Sequence, residues 1–197
     1  GHIAVSGAFG ECLEWECSTA APVPLIPGGR VSQPFGTLTN GRCAYAGGGR
    51  YLVTWGGFER LNVFDRTAGR EVKLSASAPT TGAVHDIGFS GNLLALTPTG
   101  PPAPLVQVLD YTTGQEVAAP LPHSDWMYFS QFDETGTLLL TTCRRPMAQI
   151  WDWRAGRHAC PALPHITDTM AGVFVPGTPW VITGSHDGLV RFWDRLS

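Results

Sequence analysis

Thr183, His186 and Asp187 lie within one short stretch, "VITGSHDGLVRFWD" (181–194). A hydroxyl, an imidazole and a carboxylate are the three groups of a nucleophilic triad. A triad also needs an exposed nucleophile and preorganised donors for the developing oxyanion. The stretch supplies neither. Its Thr sits in one apolar run, its His and Asp in a tight polar turn, and a second apolar run ends in Trp193-Asp194.

Sliding the stretch along the chain shows what it is part of, because internal repetition decides the architecture before any single motif does. Shifted back by 42 positions it falls without a gap on "LLTTCRRPMAQIWD" (139–152), with Thr141, Trp151 and Asp152 under Thr183, Trp193 and Asp194. The same shift places His123 under His165 and Phe132 under Phe174. A further shift of 87 reaches "LVTWGGFERLNVFD" (52–65), where Thr54, Phe64 and Asp65 take the matching places. "LVQVLD", ending at Asp110, lies between, and a clipped first copy reads "IAVSGAFGECLEWE", ending Trp15-Glu16. The Asp endings at 65, 110, 152 and 194 are spaced 45, 42 and 42 apart.

Each repeat carries several short strand candidates. In the fourth they are "MYFSQF" (127–132), "TLLLTTC" (137–143), "AQIWDW" (148–153) and "HACPAL" (158–163), separated by the turns "DETG", "RRPM" and "RAGR". Short β-rich runs about ten residues apart predict an all-β sandwich, barrel or propeller. The fixed period selects the propeller, since a four-stranded blade repeats and a sandwich has no reason to.

The composition agrees. Hydrophobic residues make up 43% of the 197, enough for a core, and the 24 Gly and 16 Pro favour strands and turns over helices. No stretch has helical periodicity, and no apolar run is long enough to span a membrane as a helix. The chain opens on Gly-His-Ile and carries no basic-then-apolar leader. Net charge is −3; Lys73 is the single lysine and the twelve arginines are scattered, which argues against nucleic acid as a direct partner. Five cysteines, Cys12, Cys17, Cys43, Cys143 and Cys160, are an odd set without a paired C-x-x-C. That pattern predicts buried free thiols, a reducing compartment such as the cytoplasm, and no zinc site.

On these residues the chain resembles the WD-repeat β-propeller family. The resemblance is strongest in "LPH…F…TG…VITGSHDGLVRFWD", and "DYTTGQEVAAPLPH" and "DWRAGRHACPALPH" are similar to a bacterial style of the repeat. It implies an all-β propeller of about five blades, over approximate repeats 1–26, 27–74, 75–119, 120–162 and 163–197, as a single region. The first copy lacks its leading strand and the last stops before an outermost one, so the resemblance implies five blades of a larger ring, with a closed five-bladed ring as the alternative.

The resemblance also implies a hydrogen-bond clasp in each blade: a His before the first strand, a Ser or Thr in the second, an Asp in the next turn and the Trp of the third. The fifth repeat has all four, His165, Thr183, Asp187 and Trp193. An imidazole placed between indole N–H and hydroxyl would satisfy both, and a carboxylate would fix its tautomer. The fourth has His123, Thr141 and Trp151 but Arg145 in the Asp position. The second has Gly36, Thr54, Phe58 and Phe64; the third has Leu109 for Trp and a longer Pro-rich turn, "TPTGPPAP" (97–104).

The family's usual role implies a non-catalytic platform that binds other proteins, with recognition in the loops. On the face made by the turns between second and third strands, candidates are Phe58, Glu59 and Arg60, then Trp126, Arg144 and Arg145, then Asp168 and His186. Trp and Arg commonly anchor interfaces. The alternatives are that Trp126 and Phe58 pack their own turns and that Arg144-Arg145 is a solvated pair. Two rival functions remain: a regulatory propeller segment of a larger bacterial protein such as a Ser/Thr kinase, although no kinase motif is present, and a propeller enzyme with a metal or quinone in its channel. The enzyme would need converging inward ligands. His123 and His165 belong to the repeat and His186 to a turn, while His2, His85 and His158 share no spacing, and the first strands "VHDIGF" and "MYFSQF" repeat no ligand. No catalytic residue, cofactor, metal or membrane insertion is therefore expected.

Overall fold

The computed structural model describes residues 2–6, 12–16, 21–23, 42–56, 59–75, 83–99 and 105–197. For 2–6, 12–16, 21–23, 56, 59, 60, 83, 85, 98 and 99 it describes the backbone alone. Among these residues there are five antiparallel sheets. The first runs in the order β1 (His2–Ser6), β2 (Cys12–Glu16), β3 (Ala21–Val23). The second is β4 (Arg42–Ala46), β5 (Tyr51–Gly56), β6 (Glu59–Asp65), β7 (Arg70–Glu71). The third is β8 (Ala83–Ser90), β9 (Leu93–Thr99) and β10 (Leu105–Asp110), with β11 (Gln115–Glu116) and β12 (Leu121–Pro122) both on the outer edge of β10. The fourth repeats this: β13 (Met127–Phe132), β14 (Leu138–Cys143) and β15 (Met147–Asp152), edged by β16 (Arg157–His158) and β17 (Leu163–Pro164). The fifth has three strands, β18 (Thr169–Phe174), β19 (Trp180–Ser185) and β20 (Val190–Asp194).

The chain divides into two compact units. Gly1–Val84 with Tyr111–Gly114 holds the first two sheets, and His85–Asp110 with Gln115–Ser197 holds nearly all of the other three. In the first, the edge of Tyr51 packs on Tyr111 with ring centroids 5.1 Å apart, and Ser75 donates its N–H to the Gly114 carbonyl at 2.7 Å.

The second unit shows why its strands read as continuous apolar runs rather than an alternation. Leu139, Cys143 and Trp151 point to the third sheet and pack with Ala95, Val106, Val108 and Leu121. Their neighbours Leu140, Ala148 and Ile150 point the other way, to Phe174 and Val181 of the fifth sheet. The fourth sheet is thus buried on both faces, as "LLLTTC" requires. Leu139, Leu140 and Ile150 are fully buried, each worth about 1.5–3 kcal/mol of apolar transfer.

Two details depart from the expected strands. The outer strand, read as "HACPAL", is two short ladder pieces, joined by a bond from Ala159 N–H to the Ile150 carbonyl. Pro122 and Pro164 lack an N–H and so fit this outermost position. Its second piece reaches into the next repeat, so the repeat boundaries at 120 and 163 cut through blades. The third strand ends at Asp152 rather than Trp153, because Asp152 turns the chain by accepting the Ala155 N–H at 3.3 Å. Trp153 then folds inward to 2% exposure and donates its indole N–H to the Gly136 carbonyl at 3.0 Å.

The inner strands approach closely where side chains are small. Gly88, Ser130 and Gly172 recur every 42 residues at one position of β8, β13 and β18. A Cβ on Gly88 would stand 2.8 Å from the Ser130 carbonyl oxygen, and one on Gly172 2.7 Å from Leu140 Cδ2. No backbone twist demands glycine at these sites; space does.

Candidate functional site

The clasp forms in the fourth and fifth blades, with a different order of groups from the one expected. The hydroxyl, not the imidazole, stands in the middle. In the fourth blade Trp151 Nε1–H donates to Thr141 Oγ1 at 3.1 Å, and Thr141 Oγ1 lies 3.0 Å from His123 Nε2. His123 Nδ1 faces the Leu121 carbonyl at 2.9 Å. A carbonyl only accepts, so Nδ1 carries the proton and Nε2 accepts the threonine O–H. Each polar group is then satisfied, the Thr141 hydroxyl lying also 3.4 Å from the Gln149 carbonyl, and Leu121 supplies through its backbone what the expected carboxylate would. Burial pushes the His123 pKa down to about 4.

The fifth blade uses the opposite tautomer. Thr183 Oγ1 accepts from Trp193 Nε1–H at 2.7 Å and lies 2.8 Å from His165 Nε2. Asp187 does not reach the imidazole, contrary to expectation. Arg191 comes between them, with Nη1 3.1 Å from His165 Nδ1 and Nη2 2.7 Å from Asp187 Oδ2. A guanidinium only donates, so Nδ1 is the acceptor here and Nε2–H points to Thr183. Burial and the Arg191 charge both lower the His165 pKa. Asp187 also takes the Ser185 hydroxyl and the Leu189 N–H, and the hydrogen bond from Arg191 holds its carboxyl well below the ordinary range. Thr183 is fully buried under two ring N–H donors, so its oxygen is closed to any substrate. Nitrogen-15 NMR should show His123 as the Nδ1–H form and His165 as the Nε2–H form. His165→Ala should cost about 1–3 kcal/mol in chemical denaturation, through the lost hydrogen bond to Thr183 and the lost ring contact with Trp193; an unchanged midpoint would remove the clasp from the stability of the fifth blade.

The other two blades lack the clasp in different ways. Strand register puts Thr54 where Thr141 stands, and Phe64 where Trp151 stands. The buried Thr54 hydroxyl has no hydrogen-bond partner among the described residues; Gly36, in the His position, lies outside them. In the third blade Leu96 and Leu109 replace hydroxyl and indole and are fully buried. Losing both polar partners together is nearly neutral, whereas losing one leaves an orphan.

The recognition candidates of the fourth and fifth repeats come together at one end of the second unit. Trp126 is 49% exposed. The Arg144 guanidinium stands over its ring at 5.6 Å, and the Arg144 N–H donates to the Trp126 carbonyl at 2.7 Å. Arg145 is exposed and pairs with Asp125 at 3.2 Å, a surface pair worth at most about 1 kcal/mol. Its carbonyl accepts the Thr169 N–H at 3.4 Å, which ties this turn to the fifth blade. There Asp168 accepts the Tyr128 hydroxyl at 3.3 Å and, through its carbonyl, the His186 N–H at 2.9 Å. Burial first, then the Asp168 charge, raises the Tyr128 pKa. The His186 side chain is exposed. Phe58 lies outside the described residues; Glu59 and Arg60 open β6, with only their backbones described.

Three features escaped the sequence reading. The repeated Asp is a turn former: Asp65 accepts Thr67 and Ala68 N–H at 2.9 and 3.0 Å and pairs with Arg50 at 2.7 Å. The Arg50 hydrogen bond, then that of Ala68, lowers its pKa to about 2. The spacing of four Asp was visible, but not what each one holds. The small-residue series 88, 130, 172 was equally visible at the same period. Trp153 was read as a strand residue, and only the turn at Asp152 sends it inward. Cys43, Cys143 and Cys160 are free thiols. Among the described residues no group of three or more His, Cys, Asp or Glu is placed to hold a metal ion, and no helix is long and apolar enough to cross a membrane.

No protein-family model and no curated protein matches the chain. Solved structures do. The chain is similar to the computationally designed Ika8 protein, with TM-score 0.78, 17% identity, and 100% of this chain on 56% of that one. It is similar to a chain of the Mitotic Checkpoint Complex, with TM-score 0.73, 15% identity, and 99% on 59%. It is also similar to the computationally designed Ika4 protein, with TM-score 0.64, 19% identity, and 77% on 88%. The chain spans a little over half the length of the first two. These likenesses, with the five successive sheets, establish the fold as an all-β propeller of about five blades.

Proposed function

We propose that the chain is a non-catalytic, protein-binding scaffold of WD repeats in the bacterial style, and that it binds through the turns around Trp126. The observation that carries this reading is the half-exposed Trp126, stacked by Arg144 and bonded to it through the backbone, on the end of a sheet buried on both faces. A large amphipathic ring held still costs little entropy on binding, and a stacked guanidinium adds planar donors. Asp168, His186 and Arg145 border it with both signs of charge. A protein assembly among the similar structures supports a protein as partner. A second reading is that this is the regulatory propeller segment of a longer bacterial protein such as a Ser/Thr kinase; the chain spans a little over half of two similar chains.

The test is site-specific photocrosslinking from position 126, with Arg154, in the turn after the third strand, as control. Adducts specific to position 126 support the reading, and Trp126→Ala with Arg144→Ala should weaken capture of the adducted protein at least 30-fold, about 2 kcal/mol, without moving the unfolding midpoint. Identical adducts from both positions, or undiminished capture, would reject this face.

A further inference from the structure

Asp125, Asp168 and Asp187 stand at the Trp126 end of the second unit, and each is already engaged. Both oxygens of Asp125 are taken: Oδ1 accepts the Trp126 N–H at 2.8 Å and Oδ2 pairs with Arg145 at 3.2 Å. Asp187 holds Arg191, and Asp168 accepts the Tyr128 hydroxyl. Arg144 is left over. Its guanidinium lies 5.6 Å from the centre of the Trp126 ring, the residue is exposed, and it pairs with no carboxylate among the described residues.

This surface belongs to a blade enclosed by its own chain. The fourth sheet is packed by the third on one face and by the fifth on the other, yet Trp126 stays 49% exposed. The turn that carries Arg144 is tied down on both flanks. On one, the Arg144 N–H donates to the Trp126 carbonyl; on the other, the His165 N–H donates to the Pro146 carbonyl at 2.6 Å. Just past that second bond, Ile166 is 77% exposed. Ser124, its counterpart 42 residues earlier, is exposed as well but polar. One unpaired cation is thus framed by two exposed apolar side chains on a fixed turn.

We propose that Arg144 sets the specificity of the Trp126 surface, and that the partner protein presents an extended segment with one Asp or Glu between apolar residues. The inference rests on the protein-binding reading above and names the chemistry of its partner. The carboxylate takes the guanidinium as a planar fork of donors, and the apolar neighbours cover the indole and Ile166. A guanidinium already stacked on a ring has given up side-chain freedom before the partner arrives, so binding costs less entropy. A single negative charge also suits the surroundings. Arg144, Asp168 and Asp125 all act on the Tyr128 hydroxyl. A phosphate would bring its second negative charge towards two carboxylates, where one guanidinium balances only one.

The probe is an array of immobilised peptides whose central position is each natural amino acid or phosphoserine in turn, with mixed apolar and small residues on either side. The labelled chain should select Asp and Glu over Asn and Gln by at least about tenfold, the worth of a charge-assisted fork. Arg144→Gln should abolish that selection and Arg144→Lys, which keeps the charge but not the fork, should weaken it. Arg157→Gln, in the turn after the third strand, should leave it intact. Arg144 is exposed, and an unchanged unfolding midpoint shows that its variants are folded. Four results overturn the proposal: no selection of acids, selection that survives Arg144→Gln, an equal loss with Arg157→Gln, or a preference for phosphoserine or a basic residue. A specific crosslink from position 126 without acid selection removes this inference alone, whereas loss of both removes the binding surface as well.

Discussion

Trp153→Ala is expected to lower stability by about 3–5 kcal/mol, the range for emptying a buried aromatic site. The indole is 2% exposed within the core between the third and fourth sheets. Phe132 meets it edge-on at 6.0 Å, and the Arg154 guanidinium lies 4.0 Å above its ring. Its N–H also satisfies the Gly136 carbonyl in the turn that starts β14. Trp153→Phe keeps most of the ring but drops the hydrogen bond, so it should cost markedly less than Ala. Urea unfolding of the three proteins checks this, and equal midpoints for Ala and Trp would place the ring outside the folded core.

His123→Ala is expected to cost about 2–4 kcal/mol at neutral pH, because it empties a buried site, leaves the Thr141 hydroxyl only the Gln149 carbonyl at 3.4 Å and takes the imidazole donor from the Leu121 carbonyl. Replacing His123, Thr141 and Trp151 together by leucine, as the third blade does at its Thr and Trp positions with Leu96 and Leu109, should recover part of that loss. The same imidazole makes stability depend on pH. Its pKa is about 4 folded against about 6.5 unfolded. Above pH 6.5 neither state is protonated and the contribution is complete. Between 6.5 and 4 the unfolded chain binds a proton that the folded chain does not, so stability falls with pH, by about 3 kcal/mol across the window. Midpoints at pH 7.5 and 5 should separate by about 2 kcal/mol more in the native chain than in His123→Leu. Parallel pH curves for the two would assign the acid sensitivity elsewhere.

The fold and the blade positions were legible because repetition amplifies weak signals. "MYFSQF" matches β13 residue for residue, and Asp endings spaced by 42 locate third strands without any propensity argument. What remained hidden depends on atoms that no repeat spacing reports. Residue types place His165, Thr183, Asp187 and Trp193 in one blade, but they do not say that Arg191 will step between carboxylate and imidazole. Nor do they show that the Leu121 backbone will do the work of an absent Asp near His123. The repeat spacing did place the candidates Trp126, Arg145, Asp168 and His186 together, all in connections between strands at one end of the second unit. The stack of Arg144 on Trp126 needed coordinates.

Adjacent residues of β14 serve different cores, Leu139 one and Leu140 the other. A single codon added within the strand would exchange the two sets, because one step along a strand reverses every side chain beyond it. Insertions and deletions are therefore tolerated only where no face is assigned. The third repeat shows such a difference in length. Leu94 pairs with Leu109 across 15 positions, whereas Leu139 pairs with Trp151, and Val181 with Trp193, across 12. The three extra residues that stretch one Asp spacing from 42 to 45 fall between the paired Leu96 and Gln107, so the added length leaves the two faces of both strands as they are in the other repeats.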